Sequence, residues 1–227
     1  MQTHALPDVS LSGIVSPTVS PHHSAHTHAQ QQQQQLHIPS ASNILPPEKN
    51  NLTRPSFYQF QYRLAKCSEL SLGIFTSSES SSIPTYASAA PVYSGAPNRK
   101  SVLLGHIVAT KTNGDTVDDN DMAIPSDDPS NTELGNKEQG RTVAIHSLAV
   151  LPEFQHKGLG STIMKAYLDR LAKQDVADKA ALIAHEEMIP YYEKLGFKNK
   201  GKSSAQFGGG GWFDMVKELT DDEKEDY

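Results

Sequence analysis

The fold of this chain is decided by the stretch Arg141–Ser161, which reads RTVAIHSLAVLPEFQHKGLGS. Its first part predicts a buried strand, because apolar and mostly β-branched residues stand at Val143, Ile145, Leu148 and Val150. Pro152 ends that strand, since it has no N–H to donate to a ladder. After a loop with two glycines, helical spacing predicts a helix, with apolar residues at Ile163, Met164, Tyr167, Leu168 and Leu171.

This order of strand, loop and helix predicts a site for a phosphate group. The first N–H groups of a helix have no partner within it, and the helix dipole favours an anion at that end. Gly158 and Gly160 would let phosphate oxygens approach the backbone. Two glycines also occur in many tight connections, so the residues around them must support the assignment.

The residues around the glycines resemble a known family. Gln155-x-x-Gly158-x-Gly160, directly after a strand ending in Leu-Ala-Val, resembles the acetyl-CoA pyrophosphate loop of the GNAT acyltransferase superfamily. The segment IAHEEMIPYYEKLGF at 183–197 resembles that superfamily's C-terminal motif, a strand followed by a helix and Gly-Phe. The resemblance implies an α/β GNAT fold with a mixed central sheet flanked by helices.

A narrower resemblance concerns the arylalkylamine (serotonin-type) N-acetyltransferases. His146, the sequence ELSLG at 69–73 and the sequence IPYY at 189–192 are similar to that group. The resemblance covers a little over half of the chain, at 46–75, 102–110 and 141–219. We therefore expect an N-acetyltransferase domain over 43–219, with loop insertions at 77–100 and 111–140 and an acidic tail at 220–227.

Residues 1–42 are rich in Ser, His and Gln and are expected to be a disordered tail, because they offer little apolar surface against their ordering entropy. The histidines in this tail lack cysteines and fixed spacing, so we predict no metal site. The first strand and helix of the resembled family are not recognisable before Pro46, although Val9–Val15 could form a short strand.

Local patterns predict most of the remaining elements. A helix is expected over 56–67, with an apolar stripe at Phe57, Phe60, Leu64 and Cys67. The acidic segment 111–140 can be read as a calcium loop or as a solvated insertion, and it lacks the Gly and terminal Glu of an EF-hand. We expect an insertion. Further strands are predicted at 70–76, 102–110, 180–184, 197–200 and 212–219, and a short helix at 188–195.

Composition limits the partners and the compartment. The net charge of -6 argues against nucleic acid or an anionic membrane as the main partner. A single cysteine fits a reducing compartment, and no apolar run approaches membrane-spanning length. The first residues lack the basic and apolar regions of a secretory signal, so we expect a cytoplasmic protein.

Two residues are candidates for proton transfer. His146 lies in the strand before the glycine loop, and its intrinsic pKa suits a base that accepts a proton from an ammonium group. The alternative is a core histidine with a satisfied hydrogen bond. The resemblance implies that Tyr192 is the general acid for the leaving thiolate, with Tyr191 as a packing residue. The resembled enzymes have a second histidine where this chain has Ala144, which leaves a single base.

The resemblance also implies residues that bind acetyl-CoA as co-substrate. The backbone of Leu148, Ala149 and Val150 would pair with pantetheine like an added strand. The pyrophosphate would be held by Gln155, His156, Lys157, Gly158, Leu159, Gly160 and Ser161. Leu148 and Ile183 would line an apolar amine pocket.

The expected function is acetyl transfer from acetyl-CoA to the primary amine of a small arylalkylamine, by direct attack in a ternary complex. A polyamine or protein N-acetyltransferase uses the same cofactor and is the alternative enzyme. A non-catalytic acyl-CoA-binding module is the alternative of another class, which the replacement of the second histidine by Ala144 keeps open. A scaffold acting through its Gln/His-rich tail is the third.

Overall fold

The computed structural model describes residues 9–13, 57–78, 88–91, 100–125 and 133–219, with side chains for 57–78, 101–125 and 133–219. Its described strands form an eight-stranded sheet in the order β1-β2-β4-β5-β6-β8-β7, with β3 paired to β4. The strands are β1 (Val9–Gly13), β2 (Leu72–Ser78), β3 (Ser88–Pro91), β4 (Lys100–Thr112), β5 (Thr142–Val150), β6 (Lys179–Ala184), β7 (Lys198–Lys202) and β8 (Phe213–Glu218). All pairs are antiparallel except β5–β6, so the sheet is mixed as expected.

The described helices are α1 (Phe57–Lys66), α2 (Asp119–Met122), α3 (Leu159–Lys173) and α4 (Ile189–Glu193). Three of them, α1, α3 and α4, lie where helical patterns were predicted. The main apolar cluster joins α3 to the sheet through Ile163, Met164, Tyr167, Leu168 and Leu171. A second cluster, formed by Val117, Met122, Ala144, Ala181 and Val216, packs separately from the first. We call these the α3-side cluster and the α2-side cluster.

A strand within the N-terminal tail corrects the expectation of disorder for part of it. Val9–Gly13 pairs with Gly13 opposite Leu72 and Val9 opposite Thr76, so β1 covers the edge of β2. The short strand considered for Val9–Val15 is therefore formed over Val9–Gly13. The rest of 1–42, the His-rich and Gln-rich tracts included, lies outside the described residues.

The buried face of α1 differs from the predicted apolar stripe. Phe57 is 63% exposed and Leu64 is 37% exposed, whereas Arg63 is only 1% exposed and Cys67 is fully buried. The Arg63 guanidinium donates to the Met122 carbonyl at 3.0 Å, so a polar contact with α2 decides which face is buried. The stripe prediction was right for Cys67 and wrong for Phe57 and Leu64, because it ranked side chains by hydrophobicity alone.

The acidic insertion is not wholly solvated, which corrects the expectation for 111–140. Val117, Asp121 and Met122 are buried, and α2 begins with a capping box between Asp118 and Asp121. Burial raises the pKa of the Asp121 carboxyl. The insertion thus contributes packing residues to the α2-side cluster, beside the strands that carry the predicted site.

Candidate active site

His146 occupies a β-bulge. The register of β4 and β5 pairs Ala109 with Ile145 and Val108 with Ser147, so His146 is the extra residue of β5. The bulge interrupts strand alternation, because Ile145 and Leu148 both pack against the α3-side cluster. His146 is thereby free to contact the α2 side of the sheet.

Both ring nitrogens of His146 have protein neighbours. Nε2 lies 2.7 Å from the Thr110 hydroxyl, and Nδ1 lies 3.1 Å from the Met122 sulfur. The ring is partly buried, and this burial, together with the nearby Arg63 charge, holds the pKa of His146 well below its usual value. His146 is therefore neutral at physiological pH, which is the form that can accept a proton.

The sheet opens next to this histidine. β5 and β6 are paired only from Thr142–Ala144 against Lys179–Ala181. Beyond Ala144 the β5 edge that faces β6 has no strand partner among the described residues, although its other edge is paired with β4. An extended ligand could therefore add to this edge through backbone hydrogen bonds.

The glycine loop follows directly at the end of β5. Gly158 is the N-cap of α3 with φ of +84°, and a Cβ built there would meet no atom within 4 Å. His156 also has a left-handed φ, of +58°. The loop thus brings an open backbone to the positive end of a 15-residue helix, as the phosphate-site prediction requires.

Comparisons with known proteins agree with this geometry. Residues 122–219 match the family model described as acetyltransferase (GNAT) domain. Over this stretch, which is less than half of the chain, the sequence is similar to GNAT acetyltransferases. Serotonin N-acetyltransferase of Mesocricetus auratus is 36% identical over 69 residues, which are 30% of this chain and 33% of that protein. The human protein of the same name is 30% identical over 69 residues, again covering 33% of its length. The chain thus spans about a third of the curated relatives it matches.

Among solved structures, the loading GNATL domain of CurA from Lyngbya majuscula has a TM-score of 0.47 at 12% identity. The match covers 74% of this chain and 86% of that one. Arabidopsis thaliana Naa50, in complex with the bisubstrate analogue CoA-Ac-MVNAL, has a TM-score of 0.44 at 16% identity, with coverages of 77% and 85%.

The predicted cofactor residues at 155–161 lie together around the glycine loop. Gln155 donates its side-chain amide to the Val150 carbonyl at 2.9 Å, and Lys157 donates to the Glu153 carbonyl at 2.9 Å. The Lys157 ammonium also lies 5.2 Å from the centre of the Phe154 ring. These side chains stabilise the loop, so the open backbone of Gly158 is the part best placed for a ligand.

The two tyrosines of α4 have different surroundings. The Tyr191 hydroxyl lies at the first turn of α3, where a Cβ built at Gly160 would be 3.0 Å from it. The Tyr192 ring packs edge-on against Phe197 at 5.8 Å, and its hydroxyl has no hydrogen-bond partner among the described residues. Burial raises the pKa of Tyr192 to about 12, so it keeps its proton at neutral pH. Tyr191, predicted to be a packing residue, thus also contacts the first turn of α3.

Two of the predicted site residues do not lie on one surface. Leu148 packs against the α3-side cluster and Ile183 against the α2-side cluster. Ala144 is fully buried in the α2-side cluster, packed with Val117 and Ala181. A larger side chain, such as the second histidine of the resembled enzymes, would have no space at this position.

Three further features near the site were not found from the sequence. His106 of β4 bonds the Ser147 hydroxyl at 3.2 Å and contacts the Phe60 ring. His185 stacks on Trp212, with 3.9 Å between the ring centroids. Asp214, opposite Ile183 in the register, has a buried Oδ1 without a described hydrogen-bond partner. These contacts depend on strand register, and no local sequence motif predicts them.

No group of three or more His, Cys, Asp or Glu residues in the described part of the chain could hold a metal ion. Within the same part, none of the helices has the length and apolar character needed to cross a membrane.

Proposed function

We propose that the chain transfers the acetyl group of acetyl-CoA to the primary amine of a small arylalkylamine, by direct attack in a ternary complex. The observation that carries the proposal is His146, held neutral in a bulge on the strand that leads into the glycine loop. An ammonium substrate has a pKa of about 10 and must lose a proton before it attacks. A neutral imidazole is suited to accept that proton.

Acetyl-CoA fits the open features of the site. The free edge of β5 at Leu148–Val150 would pair with the extended pantetheine arm. The loop at 155–161 would hold the pyrophosphate at the α3 N-terminus, where Gly158 leaves room for it. Acetyl-CoA supplies an activated thioester carbonyl. The amine nitrogen bonds to that carbon as the carbon–sulfur bond breaks. The Tyr192 hydroxyl donates a proton to the thiolate, and the nitrogen loses its second proton to solvent, from which Tyr192 regains one.

Two observations support an arylalkylamine as the acceptor. The relatives with 30–36% identity over 69 residues are named serotonin N-acetyltransferase. The stacked pair of His185 and Trp212 also forms a flat aromatic surface at the end of β6, close in sequence to Ile183. Such a surface suits the aromatic ring of an amine substrate. The single, buried cysteine fits a reducing cytoplasm.

Asp214 favours a second candidate, an amine with a further cationic group such as a polyamine. Its Oδ1 is buried and unpartnered among the described residues, and buried carboxylates normally have partners. Asp214 lies opposite Ile183, next to the point where β5 and β6 separate. A second ammonium group of the substrate would satisfy this oxygen.

An amine panel with acetyl-CoA and thiol detection distinguishes the candidates. We expect tryptamine, serotonin and phenylethylamine to have higher kcat/KM than putrescine, spermidine or a peptide N-terminus, and Asp214→Asn to change the order little. A preference for diamines that Asp214→Asn abolishes would select the polyamine enzyme. Binding of acetyl-CoA without turnover of any amine would select a non-catalytic module.

The role of Tyr192 can be tested against its neighbour. Tyr192→Phe keeps the ring packed on Phe197 and removes only the hydroxyl. We expect kcat to fall about 10²-fold, the lower end for general acid catalysis, because a thiolate with a thiol pKa of about 8.5 leaves fairly well unaided. The KM for acetyl-CoA should stay unchanged, since the proton is donated in the transition state.

Tyr191→Phe is the matched control. It removes a hydroxyl that lies beside Gly160 at the first turn of α3, so any effect should appear in the KM for acetyl-CoA. Acyl donors with a more acidic thiol should partly restore the Tyr192→Phe variant only. Equal loss with every donor would instead assign Tyr192 a packing role.

A further inference from the structure

The two contacts of His146 decide where its protons are. A thioether sulfur has no proton to give, so a hydrogen bond between Met122 and Nδ1 requires the proton on Nδ1. A neutral ring then has its lone pair on Nε2, where it accepts from the Thr110 hydroxyl at 2.7 Å. The geometry therefore assigns the Nδ1–H tautomer to the unliganded chain.

In this tautomer the base cannot meet a substrate. The lone pair on Nε2 faces Thr110, whose side chain is fully buried in the neighbouring strand β4. The other nitrogen is covered by Met122, which is 5% exposed and belongs to the insertion. One of these two contacts must therefore open before His146 accepts a proton.

Met122 is the contact that can open at small cost. Its carbonyl is fixed from α1, since Gln59 donates to it at 2.9 Å and Arg63 at 3.0 Å. The Met122 backbone therefore has no need to move. Its side chain is unbranched and flexible, so a change of rotamer is enough to withdraw the sulfur. Thr110, by contrast, is a buried residue of a paired strand.

We propose that the Met122 side chain covers Nδ1, the nitrogen of His146 that accepts the substrate's proton. An amine substrate displaces this side chain when it binds. This inference rests on the proposed function. When the sulfur withdraws, solvent takes the proton from Nδ1 and returns one to Nε2. The new Nε2–H then donates a hydrogen bond to the Thr110 oxygen. The ammonium then transfers a proton to the Nδ1 lone pair, giving a free amine and an imidazolium that later loses a proton to solvent.

Thr110 is a positioning residue in this scheme, and Met122 a specificity-determining one. A hydroxyl both donates and accepts, so Thr110 can support either tautomer. An amine with an apolar body would bury its own surface where the Met122 side chain had been, which offsets the cost of withdrawing it. A small polar amine has little apolar surface to bury, so it would not offset this cost.

Nitrogen-15 spectra of the histidine rings test the proposal on the full chain without any turnover. With His146 assigned through His146→Gln, we expect a protonated Nδ1 and an unprotonated Nε2. Met122→Leu keeps the apolar volume but removes the acceptor, so the proton should move to Nε2. Met188→Leu, at a methionine that is 40% exposed, is the control and should leave the ring unchanged. A wild-type ring protonated on Nε2, or a Met122→Leu ring unchanged from wild type, would overturn the proposal.

Titration with tryptamine in the presence of CoA tests the displacement. We expect the wild-type His146 signals to move towards those of Met122→Leu. Thr110→Val, which removes the acceptor for Nε2–H, should block this change, and Thr110→Ser should restore it. Signals that stay fixed under saturating tryptamine would overturn the displacement. The expected tautomers with no acetyl transfer to any amine would instead overturn the proposed function, so the two failures are distinguishable.

Discussion

Replacing His146 by glutamine is expected to lower turnover about 10²–10⁴-fold, the usual contribution of a general base. Glutamine retains hydrogen-bonding groups towards Thr110 but cannot accept a proton. Because acetyl-CoA would be held by the backbone of other residues, its binding should change little. Steady-state kinetics with tryptamine, together with calorimetric titration of acetyl-CoA, separate the two quantities.

The pH profile adds a second test of the same residue. Burial and the Arg63 charge lower the pKa of His146 below its usual value of about 6.5. The active, neutral form therefore persists as the pH falls through 6.5, and turnover should decline only at more acidic pH. His146→Gln should remove this acidic limb.

His106 offers a matched control. It is also a partly buried strand histidine on the neighbouring strand, and burial lowers its pKa as well. His106→Gln should leave the acidic limb in place and reduce turnover far less. If His106→Gln removed the limb and His146→Gln did not, the base would be His106, acting beside Ser147.

The central part of the fold was predictable because its signals are local. The apolar run, the proline and the glycines of 141–161 identify β5 and the start of α3, and the structure has Thr142–Val150 and Leu159–Lys173 there. Helical spacing and Gly196, with its left-handed φ of +89°, likewise predict the end of α4. In each case the residues that form the element also mark its limits.

What the sequence could not predict depends on contacts between distant segments. Arg63 is buried because the carbonyl of Met122, 59 residues later, accepts its hydrogen bond. Met122 in turn reaches His146 from an insertion whose acidic composition suggests only solvation. The strand at Val9–Gly13 forms by pairing with β2, against the composition of the tail around it. The periodicity within one segment gives no information about contacts with residues of a distant segment.

In the candidate site, too, some features follow from the local sequence and others from contacts between distant segments. The identity of His146 as a base candidate follows from its place before the glycine loop, a local pattern. The bulge that turns it, and the tautomer that Thr110 and Met122 impose, follow from the register of β4 and the position of α2. The sequence thus predicts which residue is placed to react, while its state before the reaction is set by tertiary contacts.

Replacing Gly158 by valine is expected to abolish acetyl-CoA binding while the protein stays folded. A Cβ at this position meets no protein atom within 4 Å, so valine would extend into the space left for the pyrophosphate. The φ of +84° adds backbone strain of about 1–3 kcal/mol. Gly201→Val is the control for that strain, because Gly201 has a φ of +101°, equally open surroundings and a place on β7.

Both variants should lose a similar amount of stability, and only Gly158→Val should lose the ligand. Acetyl-CoA at 100 times its dissociation constant stabilises a binding-competent protein by about 2.7 kcal/mol, a clear rise in the melting temperature. We expect that rise in the wild type and in Gly201→Val, and none in Gly158→Val. A normal rise in Gly158→Val would mean that the pyrophosphate lies elsewhere. If neither variant showed the rise in melting temperature, the effect would be due to backbone strain. The experiment would then contradict the assignment of the pyrophosphate to this loop.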